Sequence, residues 1–415
     1  MFKISKHIED MSQKALDMCK EQFKIIDEIT EHNQRKMLKA FIDCGVSESH
    51  LIGSTGYGYG DRGRDTLDKI YAKVFDAEDA LVRHNFVCGT HAIAVALFGV
   101  LRPGDTMISV TGTPYDTLKG VIGLETESSG SLKEFKINYE QIELKPDGTL
   151  NFEAIKNKVS SKIKMVYLQR SRGYTLRPSL FPEDIKKVCD IVKSKCPDCI
   201  VMVDNCYGEF VRKCEPTSFG VDLIAGSLIK NPGGGIAPTG GYIVGKKKLV
   251  EMCSYRLTTP GLGKEVGATL NCNRELFMGT FNAPHITGEA LKTAVFSSAL
   301  FELLGYEVSP RFNEPRADII QSLKLGDSQK LIKFCKAIQS SAPIDSFVEP
   351  EPWDMPGYDS KVIMAAGSFT LGASIELSAD APLREPFAVW LQGSLNFHSG
   401  KVGIMLAADK ISGNK

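Results

Sequence analysis

Residues 200–245 read IVMVDNCYGEFVRKCEPTSFGVDLIAGSLIKNPGGGIAPTGGYIVG. An apolar run rich in β-branched residues ends in Asp204, and a second, Asp222 to Ile229, delivers Lys230 into NPGGG, which cannot continue regular structure. Two strands therefore present an acid and an amine at their ends. Upstream the pattern repeats: ALVRHNF leads into the helical HAIAVALFGVL, TMISVT is followed by a helix around Thr117 to Ile122, and KMVYLQ precedes the helix FPEDIKKVCDIVKSK. Such β, α, β alternation predicts an α/β fold, a mostly parallel sheet flanked by helices on both faces. Ligands of such sheets sit at the carboxyl ends of the strands.

A strand-end aspartate, a serine three residues before a lysine (Ser227, Lys230) and a glycine-rich segment after it suit pyridoxal 5'-phosphate chemistry. The lysine forms the Schiff base, and the acid keeps the pyridine nitrogen protonated so that the ring acts as an electron sink. Either residue alone would read as an ordinary strand-end or surface group; the pair makes the pattern. Cys88, Gly89, Thr90 and His91 stand between a strand and a helix, where free backbone N–H groups favour a phosphate. A plain strand-to-helix turn has the same composition.

Composition narrows the classes. The 415 residues suffice for one large domain with one or two smaller ones, and fifty basic residues balance fifty acidic ones, so net charge gives no reason to expect nucleic acid. No stretch approaches the ~18 apolar residues of a membrane span, and acids early in MFKISKHIEDMSQKAL argue against a signal peptide. The eleven cysteines are scattered and odd in number, as in a reduced, cytoplasmic protein. Cys196 and Cys199 form a CPDC pair, but no second pair or nearby histidine completes a metal set, so no metal is expected. There is also no acidic cluster suited to a hard trivalent ion.

Elsewhere, residues 1 to about 50 carry Ile8, Met11, Ala15, Met18, Ile25 and Ile29 at helical steps, which predicts a packing or oligomerisation arm. Glycines at 53, 56, 58, 60 and 63 then punctuate a Tyr- and Arg-bearing loop before a helix near Asp65. HITGEALKTAVFSSALFELLGYEV predicts a long helix into a smaller C-terminal domain, and RADIIQSLKLGDSQKLIKFCKAIQ a further helical region. VEPEPWDMPGYDSKVIMAAGSF, ASIELS and VGIMLA read as strands of a small antiparallel sheet. The expected units are a helical arm over 1–54, a large cofactor-binding domain over 55–284 and a small α+β domain over 285–415.

Five segments carry a family likeness: GYGYGDRGRDTL, QRSRGYTLRPSL, DNCYGEF, GSLIKNPGGGIAPTGGYIVG and GASIELSADAPLREPF. Through them the chain resembles the fold type I pyridoxal-phosphate enzymes, in the branch of the cystathionine and methionine lyases. The particular likeness is to the bacterial family called aluminium resistance protein or methionine gamma-lyase-like. The resemblance implies a carbon–sulfur lyase acting on a sulfur-containing amino acid. It places the cofactor phosphate on Gly89, Thr90 and Ser227, with Ile229 standing where many relatives carry Thr. By the same resemblance Tyr115 would stack on the pyridine face, and it is the candidate acid for the leaving thiol. The relatives' Asn-Pro turn is absent, so its contact to the ring hydroxyl passes to Arg172 or Arg170. Tyr59 and Arg62, with Tyr57 a near alternative, correspond to residues that touch a neighbouring subunit's cofactor phosphate, which implies a homotetramer built from dimers with shared sites. Arg384 is the first choice for the substrate carboxylate and Lys401 the second, since relatives carry Arg before their last strand. An aminotransferase, or a non-catalytic protein of metal tolerance, would share the aspartate and the lysine or the fold.

Overall fold

In the computed structural model, which describes residues 2–124, 129–355 and 360–413, alternate residues of the central strands face two different cores. The chain opens with α1 (Lys6–Asp43), α2 (Arg62–Val74) and β1 (Asp79–Arg83). Then come α3 (Gly89–Val100), β2 (Thr106–Ser109), α4 (Asp116–Ile122), β3 (Asn138–Gln141), α5 (Phe152–Lys158) and β4 (Met165–Gln169). α6 (Pro182–Lys195), β5 (Ile200–Asp204), β6 (Leu223–Ser227), β7 (Gly241–Gly245) and α7 (Lys247–Leu257) complete this half. The strands lie in the order β1-β7-β6-β5-β4-β2-β3, parallel except for β7, which runs against both β1 and β6.

Val166, Leu168, Val201 and Val203 point into one core with α2 and α6; Met165, Tyr167, Ile200 and Met202 point into the other with α3 and α7. A strand buried on both faces reads as a continuous apolar run, which is why β4, β5 and β6 stand out in the sequence. Their register puts Gln169, Asp204 and Ala225 side by side at the carboxyl edge.

α8 (Asn273–Leu303) leads to β8 (Glu307–Ser309), β9 (Gln321–Lys324), α9 (Ser328–Ser340), β10 (Val362–Ala366), β11 (Ser378–Pro382), β12 (Ala388–Gln392) and α10 (Phe397–Ser412). The second sheet is antiparallel, in the order β10-β11-β12-β9-β8. α8 runs unbroken through both halves: Phe277 and Ala283 belong to the first core, Ala290 to Phe301 to that of the second sheet. α1 lies along α8 of its own chain, with Gln34 Nε2 donating to the Phe281 carbonyl at 2.9 Å and the buried Asn33 Nδ2 donating to the Phe210 and Arg212 carbonyls at 3.0 Å each.

Three expectations change. RADIIQSLKLG is not helical; it contains β9, and the helix begins only at Ser328, where Asp327 accepts from the Lys330 amide. ASIELS is largely a turn, with strand β11 starting at its last residue. VGIMLA is helix, not strand. Asn396 caps α10, and Gly400 and Gly403 let it approach Thr293 and Ser341 so closely that a Cβ would come within 2.7 Å of either hydroxyl. Residues 356–359 of the expected first strand lie outside the described residues; β10 follows them. The helix after the glycine-rich loop starts at Arg62, before Asp65, because Asp61 accepts from the Arg64 amide and caps it. No helix among the described residues is long and apolar enough to cross a membrane.

Beneath the carboxyl edge lies a buried ionic knot. Arg170, fully buried, donates from Nη1 to Asn205 Oδ1 at 2.7 Å and to Glu215 Oε2 at 3.2 Å, while Glu215 Oε1 accepts from the Phe210 amide. The knot pins residues 205–210, the segment that leaves β5 after Asp204. Glu215→Ala strands the Arg170 charge away from water, so urea unfolding is expected to show a loss of about 3–5 kcal/mol. A loss below ~1 kcal/mol, the level of a surface pair, would contradict this role.

Candidate functional site

Asp204 ends β5, and Lys230 follows β6 by three residues; their side chains line one cavity of about 450 Å³, open mouth included. Asp204 accepts from the Cys206 amide at 3.1 Å, and burial raises its pKa while the Lys230 charge opposes that rise. The Lys230 Nζ stands 3.9 Å from the centroid of the Tyr207 ring. Burial alone would push the Lys230 ammonium down. The Cys206 thiol, the Tyr207 phenol and the Asp204 and Glu209 carboxyls outweigh it and hold its pKa above the ordinary value.

Tyr115, the residue before α4, joins the same cavity, its backbone N–H donating to Gln169 Oε1 at 2.8 Å. Thr90 Oγ1 and Thr117 Oγ1, 2.7 Å apart, tie the start of α3 to that of α4. Gly89 opens α3 against β6. A Cβ there would lie 3.3 Å from Ser227 Cβ and 3.4 Å from Cys206 Sγ, so the missing side chain keeps a small cradle between the helix start and the serine. Ser227 is buried and its hydroxyl accepts from the Ile229 amide at 3.3 Å. An anion finds helix N–H groups and a hydroxyl there, a ring nitrogen finds Asp204, and an aldehyde finds Lys230. These donor groups fit pyridoxal phosphate.

The remaining expected residues lie elsewhere. Tyr59 is 61% exposed and Tyr57 75%, on a loop of the chain held from behind by buried Arg64, which donates to the Gly58 and Gly267 carbonyls. Arg62 donates to Ser49 Oγ at 3.3 Å. None of the three lines the Lys230 cavity. Arg172 is buried, its Nη1 donating to the Ser309 carbonyl and hydroxyl at 3.0 and 3.1 Å and to Ser322 Oγ at 3.3 Å. Arg384 is exposed at the rim of an adjoining outer cleft of about 970 Å³, open mouth included, which Arg172 also lines. Lys401 sits within α10 and lines neither space, the consequence of that segment being a helix.

Sequence reasoning missed Cys206, Tyr207, Ser171 and Tyr174, Ile320 just before β9, and Trp390 and Gln392 on β12, all of which line the Lys230 cavity. Tyr207 adopts φ 71°, a left-handed conformation uncommon for a non-glycine residue, and no local pattern announces it. Behind it Asn231 Nδ2 donates to the Tyr207 and Glu209 carbonyls at 3.1 and 3.0 Å, coupling this segment to the residue after Lys230.

Glu209 is fully buried and accepts from the Tyr242 hydroxyl at 2.6 Å. Burial pushes its pKa up to about 8. Because the native state then holds a proton that the unfolded chain releases at ordinary carboxyl pH, stability falls as pH rises from the unfolded value towards 8 and levels off beyond. Glu209→Gln is expected to abolish most of that slope in urea unfolding between pH 5 and 8 on the scale of those two limits. An unchanged slope would mean that Glu209 is ionised in the native protein.

The family described as methionine gamma-lyase matches residues 8–412. The uncharacterized protein YnbB of Bacillus subtilis (strain 168) is 49% identical over 389 residues, 94% of this chain and 92% of that protein. A crystal structure of a carbon-sulfur lyase involved in aluminum resistance from Clostridium novyi NT is 54% identical, with a TM-score of 0.95 over 98% of this chain and 96% of that one. The pyridoxal-5'-phosphate dependent protein YhfS of Escherichia coli, 14% identical, shares the fold with a TM-score of 0.63 over 93% of this chain and 97% of that one. The architecture is that of fold type I.

Proposed function

The chain belongs to the methionine gamma-lyase family, and from that premise we propose that it is a pyridoxal-phosphate-dependent carbon–sulfur lyase of the methionine gamma-lyase or cystathionine beta/gamma-lyase type. The observation that carries the reading is the meeting of Asp204, Lys230 and Tyr115 in one cavity, with the Gly89–Ser227 cradle reaching it through Cys206. Bound there, pyridoxal phosphate supplies an electron sink for negative charge at the substrate Cα.

The chain's own residues do the rest. Gly89, Thr90 and Ser227 hold the phosphate. Asp204, kept from water on the cavity wall, holds the proton at the ring nitrogen. Lys230 anchors the cofactor and, once its Nζ is free, takes the Cα proton from its place in the same cavity as Asp204 and Tyr115. Tyr115, lining the same cavity, would cover the ring and give a proton to the departing thiolate. Arg384 at the rim attracts the substrate carboxylate. Arg172 stiffens the wall between the two halves. Tyr59 on the glycine-rich loop and Arg62 at the start of α2, both exposed, reach a neighbour's phosphate in a homotetramer of dimers. All eleven cysteines are free thiols, which supports a working place in the reducing cytoplasm.

The decisive assay incubates the holoprotein with L-methionine, L-cystathionine and L-cysteine and follows thiol or sulfide, ammonia and 2-oxo acid together. The expected outcome is equal release of all three products from at least one substrate. Lys230→Ala should lower kcat/KM by at least ~10²-fold. A 2-oxo acid without thiol or ammonia would instead identify an aminotransferase, and no product from any substrate would sink the lyase.

A further inference from the structure

The Lys230 cavity and the outer cleft share four wall residues, Tyr115, Gln169, Gly173 and Tyr174. The partition they form is tightly built. Gly173 adopts φ 55°, and a Cβ there would lie 3.4 Å from Tyr115 Cδ2 and 3.3 Å from Gln169 Nε2. The Tyr115 and Tyr174 rings meet edge to face with centroids 6.0 Å apart, so the partition is closed by aromatic contact.

Tyr174 is held from the far side. Its hydroxyl donates to Asp380 Oδ2 on β11 at 2.8 Å, the same oxygen that accepts from Gln392 Nε2 on β12 at 2.8 Å. Its ring lies 5.7 Å from that of Trp390, whose Nε1 donates to the Thr175 carbonyl at 3.2 Å. The loop is clasped on either side as well. Ser171 Oγ donates to Asp318 Oδ2 at 2.7 Å, and Arg172 reaches Ser309 and Ser322. A side chain fixed at its hydroxyl can tilt its ring but cannot swing away.

We propose that Tyr174, positioned by Asp380, is a specificity-determining residue that restricts the thioether substrate to unbranched substituents on sulfur. The inference rests on the lyase reading given above. A substrate held in the Lys230 cavity with its sulfur towards Tyr115, as the lyase reading requires, has to send any substituent longer than that cavity into the outer cleft past the edge of the Tyr174 ring. A slim chain of methylenes slides along an aromatic edge. A quaternary carbon needs the ring to move by more than its anchor allows, and close-packed walls resist that.

The test compares S-n-butyl-L-cysteine with S-tert-butyl-L-cysteine, which carry the same atoms in different shapes. Binding to the full-length holoprotein is read from Trp390 fluorescence in a Trp353→Phe background, since these are the two tryptophans and Trp353 is 61% exposed, away from the cavity. Pyruvate release is read in parallel. The n-butyl compound is expected to win by about tenfold or more in both readouts. Tyr174→Ala should bring the ratio close to unity by improving the branched compound. Tyr174→Phe and Asp380→Asn, which keep the ring but lose or weaken its anchor, should give intermediate ratios.

Equal handling of the two compounds by the parent protein, or a ratio unchanged in Tyr174→Ala, would overturn the proposal. Absence of pyruvate from either compound would count against the lyase reading alone, because the fluorescence ratio still decides the role of Tyr174.

Discussion

A carboxylate and an ammonium held out of bulk water in one cavity are the constraint on which the rest of this structure depends. Asp204 ends β5 and Lys230 follows the neighbouring parallel strand β6 by three residues, so sheet register brings their segments together and the Asn231 bonds to the Tyr207 and Glu209 carbonyls hold the second in place. Each stabilises the charged form of the other against the cost of burial. Placing such a pair at the carboxyl edge, beside the start of α3, brings acid, amine and anion cradle within the compass of one small aromatic phosphate.

Much of the surrounding structure serves to hold that edge still. Arg170, Asn205 and Glu215 pin the chain below Asp204, Glu209 and Tyr242 fill the space behind, and Asn231 ties Tyr207 to the residue next to Lys230. Gly226 permits this layering, because a Cβ there would lie 2.7 Å from the Tyr242 hydroxyl oxygen and 2.8 Å from Glu209 Oε1. The opposite wall is made differently. It consists of a loop from the first sheet, Ser171 to Thr175, hydrogen-bonded at several points to the second. The cavity is thus rigid on its floor through buried charge and on its wall through contacts between the two halves.

The first sheet was legible because its central strands are apolar on both faces and alternate with helices of ordinary length. The aspartate and the lysine were legible because each ends such a run. The second half was not. β9 is only four residues long and three of them are polar, and a helix-like spacing of Ile, Leu and Phe follows at once, so the two merged into one apparent helix. The C-terminal apolar run of α10 looks like a strand until the glycines that seat it on neighbouring helices are placed in space. Arg172 shows the deeper limit. Its Nη1 partners lie 137 and 150 residues downstream, and no local pattern reveals that a guanidinium beside the cavity is engaged by another sheet.

The central claim is that Asp204 keeps a proton on the cofactor's ring nitrogen while Lys230 holds the cofactor. The direct measurement is the nitrogen-15 magnetic resonance of protein reconstituted with ring-labelled pyridoxal phosphate. The account expects a protonated ring nitrogen at neutral pH in the parent protein and a deprotonated one in Asp204→Ala. A ring nitrogen without its proton in the parent, or one that keeps it after loss of the carboxylate, would contradict it.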